Sequence, residues 1–245
     1  MNTPIALQLY SVREDLERDF EGTLAKIKGM GYTAVETGQF AGEAQTQAAK
    51  FFDFGLEVVA AHVKPPLGED QQSSLDFMAA LGAKRLVVPW LDPSIYFQSP
   101  AGVAKAADLL NEAASNTWER GLSFYYHNHD FEFKQLEGSL AFDLLLEKLD
   151  PRILFEIDTY WVQTAGVDVV ETIQRLGRRA PLLHIKDGPL LREEPMVAVG
   201  DGKMDFQKVI PAGEPHSEWL IVELDRSAGN MMDAVARSLT YLSTL

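Results

Sequence analysis

Three stretches decide how this chain folds: Ile153-Leu-Phe-Glu-Ile-Asp158, Pro181-Leu-Leu-His184-Ile-Lys-Asp187 and Trp219-Leu-Ile-Val-Glu223. Each is a short apolar run that ends in a side chain able to bind metal. A fourth, Leu122-Ser-Phe-Tyr-Tyr-His127-Asn-His129, precedes them. A continuous apolar run of this length reads as a parallel strand buried on both faces. In barrel enzymes the C-terminal ends of such strands hold the chemistry.

Working outward, candidate strands end near Tyr10, Thr37, His62, Pro89, His127, Asp158, His184 and Glu223, at intervals of 25 to 39 residues. One strand and one helix need about 30 residues, so the spacing predicts eight such units. Between them lies helical periodicity: Leu16, Phe20, Leu24 and Ile27 on one face, then Val103, Ala106, Leu110 and Ala113, and Met231, Val235, Leu239 and Leu242. Asp168 with Glu171 reads as a capping box, and Gly31, Gly55, Gly82 and Gly121 sit where helices hand over to strands. The prediction is a (β/α)₈ TIM barrel forming one domain over residues 1–245. An open doubly wound sheet is the alternative. The first strand is followed by Ser11-Val-Arg-Glu-Asp15, which lacks the glycine fingerprint usual in that fold.

Composition narrows the function. With no cysteine, thiol nucleophiles, disulfides and thiolate metal sites are excluded, so any metal must sit on imidazoles and carboxylates. A formal net charge of −14 argues against nucleic acid, whose backbone needs clustered Lys and Arg. The adjacent pair Arg178-Arg179 falls at the bottom of the expected barrel. Met1-Asn-Thr-Pro-Ile5 has no basic segment leading into an apolar one, and no apolar run reaches the roughly 20 residues of a membrane span. A soluble cytoplasmic protein is expected, and a homo-oligomer is compatible with the sequence.

Four of the five histidines fall at predicted strand ends, joined there by Asp158 and Glu223. Side chains two apart on a strand share a face, so His127 with His129, Glu156 with Asp158, and His184 with Lys186 should point into the barrel mouth. A divalent-metal site is the leading expectation. Nitrogen and oxygen ligands without sulfur suit Mn²⁺, Co²⁺, Mg²⁺, Fe²⁺ or Zn²⁺. Lys186 is the second candidate: burial beside a cation would lower its pKa toward an acid–base value, or it would pair with Glu156 or Asp187. Glu36 reads either as a substrate contact or as part of an ion pair. Trp90, Tyr96, Phe131 and Trp161 follow strand ends, where aromatic faces suit sugar C–H groups. His216, before the last strand, reads as a surface residue.

At these residues the sequence resembles the xylose-isomerase-like TIM barrel superfamily, in particular its sugar phosphate isomerases and epimerases. The resemblance spans nearly the whole chain and rests on LQLYSVRED at 7–15, GYTAVE at 31–36, YHNHDFEF at 126–133, IDTYWVQTAG at 157–166, HIKDG at 184–188, VGDGKMDF at 199–206 and VEL at 222–224. It implies one divalent metal held by Asp158, His184 and Glu223, with His127 as the fourth ligand and His129 in reserve. Lys186 and His62 take substrate or proton-transfer roles. Glu223, His129 and Glu132 join Lys186 as catalytic candidates. Glu36, Trp90, Trp161 and Arg226 join His62 as substrate contacts.

The pattern departs from the ketose 3-epimerases of the superfamily. They place a metal-bound Glu at the end of the fifth strand, where this chain has His127, as inosose dehydratases and 3-keto-sugar enzymes more closely do. Glu132 is the carboxylate that would replace it from the loop. The expected function is therefore a metal-dependent isomerase or epimerase of a keto-sugar or polyol working through an enediolate. Dehydration of an inosose or 3-keto sugar is the alternative, and a non-catalytic sugar-binding barrel is the rival from another class. The endonucleases of the superfamily need several metals, more histidines and a basic face.

Overall fold

In the computed structural model, which describes residues 3–39 and 43–245, eight parallel strands close a barrel. In chain order they are β1 (Ile5–Gln8), β2 (Ala34–Gly38), β3 (Glu57–His62), β4 (Arg85–Val88), β5 (Ser123–His127), β6 (Leu154–Asp158), β7 (Leu182–Ile185) and β8 (Trp219–Val222). Each pairs with its neighbours in sequence, and β8 closes on β1 through Ile5–Leu220, Ala6–Ile221 and Leu7–Val222. Closure removes the sheet edges that an open doubly wound sheet would leave.

The strands' alternation sorts side chains between two cores. Leu7, Val35, Leu86, Phe124, Phe155, Leu183 and Leu220 face outward into the layer shared with the helices. Ala6, Ala34, Val59, Val87, Tyr125, Leu182 and Ile221 fill the lower barrel interior. Two residues further along the inward faces the character changes. Ala34 gives way to Glu36, Tyr125 to His127, Leu154 to Glu156 and Leu182 to His184, and these four polar side chains are buried. An apolar plug thus supports a charged layer at the C-terminal end, where a barrel keeps its open face.

Several sequence expectations need adjustment. Strand β1 stops at Gln8 and β4 at Val88, short of Tyr10 and Pro89. After β1 the chain turns through a 3₁₀ segment, Leu9–Val12. The periodic run from Leu16 to Ile27 is two helices, α1 (Arg13–Arg18) and α2 (Phe20–Met30). Asp19 is extended (φ −156°) and its side chain caps α2 by accepting from Gly22 N, so a continuous apolar stripe masks the break. Gly31 and Gly82 end their helices in the left-handed conformation, as expected of C-terminal glycines. Asp168 caps the helix Val169–Leu176 by accepting from Glu171 N at 3.0 Å.

Candidate functional site

The mouth of the barrel opens into a cavity of about 630 Å³. Tyr10, Gln39, Val63, Lys64, Pro89 and Trp90 line its β1–β4 side, and His62, His127, His129, Lys186, Glu223 and Asp225 complete it. One half is therefore largely apolar and the other is charged.

Register brings the charged half together. His127 lies beside Glu156 on the β5–β6 ladder, and Asp158 lies beside His184 on β6–β7. Two overlapping groups of donor atoms result, each within 4.8 Å: His62, His127, Glu156 and His184 below, and His127, Asp158, His184 and Glu223 above. The shared rings present opposite nitrogens to the two groups. His184 Nε2 lies 3.0 Å from Glu156 Oε2 and 2.7 Å from Glu36 Oε2, while its Nδ1 lies 2.8 Å from Glu223 Oε2. His127 Nδ1 is 3.1 Å from Glu156 Oε2, and its Nε2 is 3.7 Å from Asp158 Oδ2.

The upper group fits a divalent cation. Its donors are two imidazoles and two carboxylates, a set that suits borderline and hard metals. Asp158 Oδ2 is buried and has no hydrogen-bond donor; Lys186 Nζ lies 2.9 Å away as an ion pair but outside hydrogen-bonding geometry. Asp158 Oδ1 is committed elsewhere, capping the helix Thr159–Thr164 by accepting from Trp161 N at 3.0 Å. Asn128 pins the two strand ends: its Oδ1 accepts from Asp158 N at 3.0 Å.

Lys186 is ringed by carboxylates. Burial opposes its charge, but Asp158, Asp225 and Glu223 outweigh burial and hold its pKa well above the ordinary lysine value. Nζ lies 2.8 Å from Glu223 Oε2 and 2.8 Å from Asp225 Oδ1. Neither Glu156 nor Asp187 is its partner. Asp187 instead turns away and accepts from the backbone N–H groups of Gly188, Gly200, Gly202 and Met204 at 2.8–3.1 Å. This explains why HIKDG and VGDGKMDF occur together: one carboxylate folds the second motif onto the first. A Cβ on Gly202 would overlap Asp187 Oδ1.

The remaining imidazoles differ from one another. Burial opposes protonation of His62, but Glu36 and Glu156 overcome it and push the pKa up to about 10. His129 goes the other way, to about 3, because burial and then Lys186 disfavour its charge. Its ring stacks on Phe131 (centroids 5.3 Å apart, 7° between planes), and its Nδ1 is buried without a partner.

Asp158 and His184 are buried just beneath the cavity wall, and four other expected site residues lie outside it. Glu36 is fully buried beneath His184, taking a hydrogen bond from Gln8 Nε2 at 2.7 Å, and pairs with His184 rather than facing the cavity. Glu132 lies behind β5, accepting from Tyr126 Oη at 2.6 Å and His129 N at 2.9 Å. It therefore orders the loop and supplies no carboxylate to the ligand groups. Trp161 is buried, with its ring under Lys186 Nζ at 5.8 Å. Arg226 is exposed, and its guanidinium donates to the carbonyls of Arg192 and Glu194 instead of entering the cavity. Trp90, half exposed at the rim, does line it. The sequence offered Glu156 only as a partner for Lys186 and left Asp225 without a role. Alternation signalled that Glu156 faces inward, whereas Asp225 lies in a loop with no periodic signal.

The fold and this constellation define a barrel with a metal-capable, carboxylate-rich mouth. The chain belongs to the xylose isomerase-like TIM barrel family, whose model matches residues 24–244. It is similar to an inosose dehydratase of Clostridium perfringens (strain ATCC 13124), 25% identical over 151 residues, covering 56% of this chain and 49% of that protein. That match thus spans about half the relative's length. An inosose dehydratase of Mesomycoplasma hyopneumoniae (strain 7448) is 21% identical over 271 aligned positions, covering 92% of this chain and 88% of the relative. Among solved structures, a sugar phosphate isomerase/epimerase from Parabacteroides distasonis ATCC 8503 superposes with a TM-score of 0.82. It is 25% identical, with 99% of this chain and 94% of that one covered.

Proposed function

We propose that the chain is a divalent-metal-dependent enzyme that removes the proton beside the carbonyl of a keto-sugar or keto-polyol, and that the usual outcome is loss of a β-hydroxyl as water. The observation carrying this reading is Lys186 on the cavity wall, its Nζ 2.8 Å from Asp225 Oδ1, a carboxylate outside both metal-capable groups. An acid fixed in its charged form suits protonation of a leaving hydroxyl. His127 in place of a carboxylate at the end of β5 argues in the same direction, because symmetric epimerisation calls for an acceptor on each side of the carbon.

A cation held by His127, Asp158, His184 and Glu223 would polarise the carbonyl and acidify the neighbouring C–H. Glu223 and His129, wall groups that carry no fixed positive charge, are the candidates to accept that proton. The C–H electron pair forms the new C=C bond as the β C–O bond breaks. Lys186 gives its proton to the departing oxygen, so water leaves and an unsaturated ketone remains. Return of the abstracted proton to Lys186 through solvent resets the site. Trp90 and His62, on the cavity wall, contact the substrate.

Isomerisation or epimerisation is the second reading, supported by the named activity of the Parabacteroides relative. It shares the first proton removal and differs in where the proton returns. Incubating Mg²⁺- or Zn²⁺-loaded enzyme with inososes and keto-hexoses in D₂O, followed by NMR, separates the two. Signals of an enol or of the 1,2-diketone it tautomerises to, with deuterium at the carbon that lost its hydroxyl, support dehydration. Deuterium at the carbon with a new epimer or aldose supports the second reading, and binding without either supports a sugar-binding barrel.

A further inference from the structure

Glu156 sits two residues below Asp158 on the inward face of β6, about 6–7 Å deeper in the barrel. It is fully buried. Its Oε2 meets three imidazoles at once: His62 Nε2 at 2.8 Å, His127 Nδ1 at 3.1 Å and His184 Nε2 at 3.0 Å. Glu36 adds a second acceptor for His184 Nε2 at 2.7 Å. A neutral imidazole has one N–H, and an acceptor beneath the ring draws it downward, leaving the opposite nitrogen's lone pair for the mouth.

Resting on the metal reading above, we infer that Glu156 is a positioning residue: it holds His127 as the Nδ1–H tautomer and His184 as the Nε2–H tautomer, so that His127 Nε2 and His184 Nδ1 face one cation. The two ligand histidines therefore bind through unlike nitrogens. Glu156 itself touches neither cation nor substrate. The alternative is direct ligation in the lower group. It would turn both shared rings' lone pairs away from the mouth, where Asp158, Glu223 and Asp225 face the single ammonium of Lys186. Placing the cation above balances that charge, while on the floor Glu36 Oε2 and Glu156 Oε2 accept from imidazole N–H groups. Partners of this kind typically set affinity by 10–100-fold.

The test titrates wild type and Glu156→Gln with Co²⁺ alone, reading stoichiometry, affinity and the visible absorption bands, with melting of the metal-free proteins alongside. One equivalent in both proteins is expected, bound 10–100-fold more weakly by the variant with altered bands, and with the metal-free melting temperature no lower. Equal affinity and identical bands would overturn the inference. So would two equivalents in wild type with one abolished in the variant, which would make Glu156 a ligand. Failure of wild type to bind Co²⁺ at all would sink the metal reading and this inference with it. If the variant does not fold, ¹H–¹⁵N long-range spectra of Zn²⁺-loaded wild type decide the matter. Opposite tautomers at His127 and His184 support the inference, and like tautomers refute it.

Discussion

His184 is protonation-sensitive in a way that bears on metal uptake. Burial disfavours its charge, yet Glu156, Glu223 and Glu36 hold its pKa well above the ordinary histidine value, so a cation must displace a proton from Nδ1. Metal affinity should therefore rise with pH, with a proton released per ion bound; calorimetry in buffers of different ionisation enthalpy measures it. Affinity independent of pH between 6 and 8 would contradict this. Lys186→Met should leave metal content unchanged, because Lys186 is no ligand, while lowering turnover by about 10²–10⁴-fold, as loss of a general acid does. Near-native turnover would make Lys186 purely structural. Glu223→Gln, by contrast, should lower both occupancy and turnover. Asp158, His184 and Glu223 were legible in the sequence because each ends an apolar run. Glu156 was legible only as facing inward: alternation fixes a side chain's face but not the neighbours that barrel closure brings from β3, β5 and β7.

Loops behind the strand ends determine how well those residues are held. Glu132 follows β5 and is sealed between Tyr126 and the backbone of His129. Burial raises its pKa from 4.5 to about 8, against the hydrogen bonds from Tyr126 and His129. A carboxyl whose pKa rises on folding stabilises the fold fully below its unfolded value. That contribution is lost as pH climbs from about 4.5 through about 8. Glu132→Gln should consequently flatten the decline of stability over that window, seen as a convergence or crossing of the two melting-temperature curves. Parallel curves would show that Glu132 does not titrate as described. Asp187 is the larger determinant. Asp187→Ala strands the buried backbone N–H groups of Gly188 and Met204 and frees those of the exposed Gly200 and Gly202. With hydrogen bonds to a carboxylate contributing about 1.5–3 kcal/mol each, a loss of about 3 kcal/mol is expected in chemical denaturation. None of this was readable beforehand. HIKDG and VGDGKMDF were recognisable as motifs, but a contact spanning a loop has no period. The break at Asp19 was hidden for a related reason, since the apolar stripe of α1 runs on into α2.

Over the whole molecule, the barrel was legible because eight apolar runs at regular intervals admit few topologies, and because on β2 and β5–β7 the inward faces pass from apolar to polar or charged. The acidity of the chain bears on its partners. With 22 basic and 36 acidic residues, it should not retain duplex DNA at physiological salt, since phosphate neutralisation supplies essentially all non-specific affinity. Salt-sensitive incision of abasic duplex that disappears in His184→Ala would overturn the sugar-enzyme reading. The central claim is that the barrel mouth holds one catalytic cation on ligands from β5 to β8, and anomalous diffraction from crystals soaked in Mn²⁺ or Zn²⁺ tests it most directly. The account predicts one strong peak with Asp158, His184 and Glu223 donor atoms at about 2.0–2.3 Å and His127 Nε2 as the fourth ligand. A peak on the floor between His62 and Glu156, or no peak within reach of those three side chains, would contradict it.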